Sequence, residues 1–147
     1  MIHYDVTKMG AARQKSGMTR TSSRLLREFG AAVTLVAWDA KRRGWVEPET
    51  RAPVVLKPAD WLLTVEMFSE AERPGFRDFV MAHPCRLAGM FYDAIPVRFP
   101  HITWPQSVQR HPEYMKLLAA FDHVVAISDY VAHDLTAFWR WQGVVPR

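Results

Sequence analysis

Val33-Thr34-Leu35-Val36-Ala37-Trp38 is apolar at every position but one. A strand with one wet face alternates apolar and polar residues, and this stretch does not. Its reading is a strand buried on both faces, as in a parallel sheet clothed by helices. Upstream, Ile2-His3-Tyr4-Asp5-Val6 alternates as a short strand, and a polar loop runs on to Ser16-Gly17. Met18, Ser22, Leu25, Leu26 and Phe29 then share one face of a helix that Gly30 ends.

Downstream the alternation continues. Residues 40–53 are charged, contain Pro and read as a loop, with a hairpin about Gly44. Val54-Val55-Leu56 reads as a short strand, and Asp60 to Met67 holds another, centred on Trp61-Leu62-Leu63-Thr64-Val65. Pro74 opens a short helix whose face is Phe76, Phe79 and Val80, and Leu87 to Tyr92 is the next strand. Pro96, Pro100 and Pro105 predict a long irregular loop. Pro112 is expected to start a helix with the stripe Tyr114, Leu117, Leu118 and Phe121. Val124 to Ile127 forms the last strand. Ser128 is placed to cap a final helix with the apolar face Val131, Leu135, Phe138 and Trp139, ended by Gly143. Strand and helix thus alternate four or five times without an internal repeat or linker. The pattern predicts one α/β domain over residues 1–147, Rossmann-like, with a mainly parallel sheet and helices on both faces.

Composition limits the function classes. At 147 residues and 49% apolar content the chain can bury one core, and disorder is not expected. The formal net charge is +4. Arg20, Arg24 and Arg27 recur at helical spacing, and Lys41-Arg42-Arg43 form a run. These cations read either as a solvated face or as a surface for phosphates or anionic headgroups. Zinc-finger spacing and basic–aromatic motifs are lacking, so no nucleic-acid partner is expected. Cys85 is the only cysteine and reads as a buried structural thiol in a reducing compartment. Met1 to Gly10 lack the apolar core of a signal peptide, and no run of about 18 apolar residues occurs. The expectation is a cytoplasmic protein, with peripheral contact at the inner membrane face left open.

In an open parallel sheet, ligands bind beyond the C-terminal ends of the strands. The residues expected there are the loop at 7–20, the Asp39 region, Glu66 to Ser69, Tyr92 to Pro96 and Ser128 to Tyr130. Free N–H groups after Ser16-Gly17 suit a phosphate, with Arg20 adding charge; a plain βα turn needs the same residues. Asp39 lies 22 residues beyond Gly17, but the loop lacks the other glycines of a dinucleotide fingerprint, so no cofactor is expected. Asp93 either caps the turn after its strand or accepts a hydroxyl proton. Glu66 either faces the cleft or is an exposed carboxylate at a strand end. His83, His101, His111 and His133 show no metal spacing; they read as surface or capping histidines, and no metal site is expected.

Three segments taken in order resemble the N-terminal, acceptor-side domain of glycosyltransferase family 4, the mannosyltransferase-like group with a GT-B fold. They are Gly17-Met18-Thr19-Arg20 before the first helix; Tyr92-Asp93-Ala94-Ile95-Pro96 followed by Arg98-Phe99-Pro100; and Tyr114 with Phe121-Asp122-His123-Val124-Val125-Ala126-Ile127-Ser128 and Asp134-Leu135. Two departures stand out. Tyr92 occupies the position of the family's usual His before Asp93, and the family's second, donor-binding domain is absent.

The resemblance implies transfer of a hexose, mannose being one candidate, from a nucleotide sugar to the hydroxyl of a carbohydrate or lipid-linked acceptor. Configuration would be retained without a metal. It implies Tyr92 and Asp93 at the reacting end, Ser16, Gly17 and Arg20 at the donor phosphates, and Ser128 at the cleft edge, with Glu66 as a further binding residue. Without the C-terminal donor domain, little or no turnover is expected of the chain alone. The alternative is a non-catalytic module binding a carbohydrate or phosphate in the same cleft. Self-association is expected through the final helix or the cleft edge, because Phe138, Trp139 and Trp141 cannot all face inward at 3.6 residues per turn.

Overall fold

The computed structural model describes residues 1–9 and 17–147. Among these the strands are β1 (Ile2–Asp5), β2 (Thr34–Asp39), β3 (Gly44–Val46), β4 (Trp61–Thr64), β5 (Arg86–Phe91) and β6 (His123–Ala126). The α-helices are α1 (Gly17–Phe29), α2 (Phe76–Ala82), α3 (Ile95–Arg98), α4 (Pro105–Leu118) and α5 (Asp129–Trp141). The strands form one sheet in the order β3-β2-β1-β4-β5-β6, parallel except for β3, which pairs antiparallel with β2 in a hairpin. The fold is α/β and Rossmann-like. The apolar stretch that announced it is β2, whose Val36, Ala37 and Trp38 are buried.

Alternation along the strands sends side chains to two helical layers. On one face, Tyr4, Val6 and Val65 pack against Leu25, Leu26 and Phe29 of α1. On the other, Val36, Leu62, Leu87 and Phe91 meet α2, α4 and α5 through Phe76, Val80, Met115, Leu118, Leu135, Phe138 and Trp139. Gly89 of β5 admits this layer closely, since a Cβ there would stand 3.1 Å from the Phe121 ring and 3.2 Å from Leu118. The Trp139 indole N–H, 2.6 Å from the Met115 carbonyl oxygen, ties α5 to α4.

Four expectations need correction. Val54-Val55-Leu56 is not a strand. Pro53 has no N–H to give, and pairing beyond β3 dwindles to a single bridge, Val46 with Pro53, flanked by bonds from Glu47 N–H to the Ala52 carbonyl and from Val54 N–H to the Trp45 carbonyl. The stretch with Pro96, Pro100 and Pro105 is not an irregular loop: it holds α3, a 3₁₀ turn (Pro100–Ile102) and the start of α4. Each proline sits in a first turn, where the missing N–H has no helical partner to lose. Pro112 therefore lies inside α4 rather than at its start. The helix after Pro74 begins at Phe76, because Gly75 takes φ 82° and turns the chain first.

Candidate functional site

β1 runs between β2 and β4, so chain connections leave its two sides in opposite directions. This switch point opens a crevice at the C-terminal ends of β1 and β4. A buried ion network fills its floor. Asp5, fully buried at the end of β1, accepts the N–H and hydroxyl of Thr7 at 3.0 and 2.5 Å on Oδ1. Its Oδ2 accepts the Thr64 hydroxyl at 2.7 Å and Nη1 of Arg73 at 2.5 Å. Arg73, also fully buried, donates its Nη2 to Glu66 at 2.8 Å and lies over the Phe76 ring. Glu66 in turn accepts the backbone N–H groups of Lys8 and Met9 at 2.7 and 2.9 Å. Burial, and then the Asp5 charge, push the Glu66 carboxyl up to about 7, against the pull of Arg73 and the two N–H groups. The network pins the start of the β1–α1 connection onto β4.

Above this floor lies a cavity of about 220 Å³. Lys8 and Met18 border it on the α1 side, Ser69 and Glu72 follow β4, and Arg110 and His111 come from α4. Glu72 accepts Ser69 Oγ at 3.0 Å and faces Lys8 Nζ at 3.1 Å and Arg110 Nη1 at 3.9 Å. His111 is 2% exposed, which corrects its reading as a surface or capping histidine. Its Nε2 donates to the Asp93 carbonyl oxygen at 2.8 Å, while its Nδ1 has no partner among the described residues. Burial holds its pKa below the ordinary histidine value, so the ring is neutral near pH 7.

The residues singled out from sequence stand as follows. Gly17 is the first residue of α1, with open space where a side chain would lie, and Arg20 is exposed on the first turn. Ser16 lies outside the described residues. Tyr92 and Asp93 follow β5. The Tyr92 hydroxyl donates to the Val65 carbonyl at 2.8 Å, and burial pushes its pKa up to about 12. Asp93 Oδ1 accepts the Ile95 N–H at 2.9 Å, closing the turn into α3, and Oδ2 bonds no described residue. Glu66 is buried in the ion network rather than presented to solvent. Ser128 caps α5, its Oγ accepting the Val131 N–H at 3.2 Å.

Because β1, β4, β5 and β6 are parallel, all of these described residues gather at one sheet edge. The cavity links two of the groups. Met18 adjoins Gly17, and His111 holds the backbone of Asp93. No hydrogen bond or ion pair joins Gly17 or Arg20 directly to Asp93 among the described residues.

Sequence reasoning missed Asp5, Arg73, Lys8 and Arg110. Only Asp5 left a signal, a carboxylate close to the C-terminal end of the first strand, where ligands of a parallel sheet bind. Cys85 is buried, and burial pushes its thiol up to about 11, away from nucleophilic use. Among the described residues no cluster of three His, Cys, Asp or Glu side chains is arranged to hold a metal ion. No helix among them is long and apolar enough to cross a membrane. No family model, curated protein or solved structure matches the chain.

Proposed function

We propose that this chain is the acceptor-binding domain of a nucleotide-sugar-dependent glycosyltransferase of the family 4 type. It would transfer a hexose to a hydroxyl of a carbohydrate or lipid-linked acceptor. The observation that supports this reading is that Met18, beside Gly17, and His111, which bonds the Asp93 carbonyl, border one cavity at the sheet edge where β5 ends in Tyr92 and Asp93. In this reading Asp93 Oδ2, which bonds no described residue, receives the acceptor hydroxyl, and Arg20 and the first N–H groups of α1 face the donor phosphates. Tyr92 supports the site from behind: its hydroxyl is committed to Val65, so it positions Asp93 without itself moving a proton. The donor-binding domain is the partner that would stabilise the departing nucleotide. Work on lipid-linked acceptors would place the protein in the cytoplasm, against the inner membrane face.

The test is donor turnover by the chain combined with a family 4 donor domain. Asp93→Asn should abolish transfer to the acceptor while leaving the thermal melt in place. Unchanged transfer rates would remove Asp93 from the chemistry. A second reading, a non-catalytic module binding a carbohydrate or phosphate, draws support from the internal commitment of Tyr92 and Glu66. Ligand binding without turnover under any donor-domain pairing is the outcome that favours it.

A further inference from the structure

The cavity beside the ion network is built of complementary halves. Lys8 and Arg110 set two cations against the single Glu72 carboxylate, leaving net positive charge on one wall. The Gln106 amide and Ser107 hydroxyl line the same space and bond no described residue. Opposite in character is His111. Its Nε2–H is spent on the Asp93 carbonyl, so Nδ1 carries a lone pair. That nitrogen is buried and has no partner among the described residues. A buried acceptor left without a donor is costly, and a ligand that supplies the donor recovers that cost. A hydroxyl is such a donor, and an anionic group suits the cations. At about 220 Å³ the space falls below the roughly 300–1,000 Å³ of drug-sized sites, so the occupant is small.

We propose that this cavity binds an anionic sugar or polyol, its phosphate or carboxylate held by Lys8 and Arg110 and one hydroxyl donating to His111 Nδ1. That this ligand is the acceptor rests on the transferase reading; that the cavity binds it does not. Glu72 then acts as the resident counter-charge that the ligand's anionic group displaces.

The experiment is calorimetric titration of the full chain with glucose 6-phosphate, glucuronate, glucose and inorganic phosphate. At least one of the two anionic sugars should bind about tenfold or more tighter than both glucose and phosphate. The arm that binds tells phosphate from carboxylate. The double variant Lys8→Gln/Arg110→Gln should lose about tenfold or more of that affinity, and Glu72→Gln should gain severalfold by freeing both cations. Arg140→Gln, on the far end of α5, should change nothing. Because His111 is buried, its part is read without substitution: the ¹⁵N shift of Nδ1 should move with the anionic sugar and not with phosphate alone. No binding, equal binding of glucose and the anionic sugars, an unaltered double variant, an unimproved Glu72→Gln or a stationary Nδ1 would each overturn the proposal. Binding without sugar transfer under any donor-domain pairing leaves this site standing and removes the transferase reading. Transfer whose acceptor KM ignores the double variant removes this site alone.

Discussion

Replacing Arg73 by Met removes the guanidinium that bridges two buried carboxylates, Asp5 and Glu66. The side chain is fully buried and makes contacts of 2.5 Å to Asp5 and 2.8 Å to Glu66. Met fills much of the same space, so the loss is electrostatic rather than a cavity. Removing one partner of a buried ion pair costs about 3–5 kcal/mol, because the other charge remains stranded. Against a total stability of about 5–15 kcal/mol, the variant should be much weakened yet still fold.

The pH dependence sharpens the expectation. The Glu66 carboxyl already stands at about 7 in the folded protein, above its ordinary 4.5, and loss of Arg73 raises it further. An acid whose folded pKa is raised takes up its proton on folding, so the associated stability is present at low pH and is lost as pH rises from about 4.5 through the folded value. The deficit of Arg73→Met relative to wild type should therefore be the full 3–5 kcal/mol at pH 8, and smaller by up to about 1.4 kcal/mol at pH 5. Urea unfolding followed by circular dichroism at both pH values measures it. A deficit under about 1 kcal/mol at pH 8, or one that does not change with pH, would refute the claim that Arg73 neutralises a stranded pair.

Other perturbations test separate parts of the structure. Gly89→Ala should cost about 1–3 kcal/mol in urea unfolding, because the new Cβ meets Phe121 and Leu118, both buried and hemmed in. Ser128→Ala should lower the thermal midpoint by roughly 3 °C through loss of the α5 cap, about 1 kcal/mol; an unchanged melt would show that water replaces the hydroxyl. On α5, Phe138 and Trp139 are buried but Trp141 is 74% exposed. The wild-type chain should self-associate in light scattering, and Trp141→Ser should shift it towards monomer.

Much of the fold was legible because it rests on local pattern. The nearly apolar run at 33–38 is a strand of the parallel sheet, buried at Val36, Ala37 and Trp38 but exposed at Thr34 and Leu35, and the stops at Gly30 and Gly143 both take positive φ, as helix ends do. The Pro-rich stretch was misread because a proline's effect depends on its place in a turn: it breaks a helix from within and begins one at the first position. The gathering of polar residues at one sheet edge followed from parallel strands alone. The ion network did not, since Asp5 and Arg73 lie 68 residues apart and Arg73 sits in a charged stretch that reads as surface. His111 was likewise hidden, because only the packing of α4 against β5 buries it.

The strand order also dictates when the sheet can close. β1 is completed on one side by β2, which follows soon after it, but its other neighbour, β4, pairs Trp61 with Ile2 across 59 residues. At a synthesis rate of about 5–20 residues per second, roughly 3–12 s pass between the emergence of those two residues. Throughout that interval the β1 edge destined for β4 is an unpaired template, and Asp5 has neither Thr64 nor Arg73 to bond. A nascent chain halted before β4 would carry an unpaired strand edge and an Asp5 carboxylate whose Oδ2 partners are not yet made. Pausing during translation, more than any single substitution on the finished surface, is the event this topology exposes to aggregation.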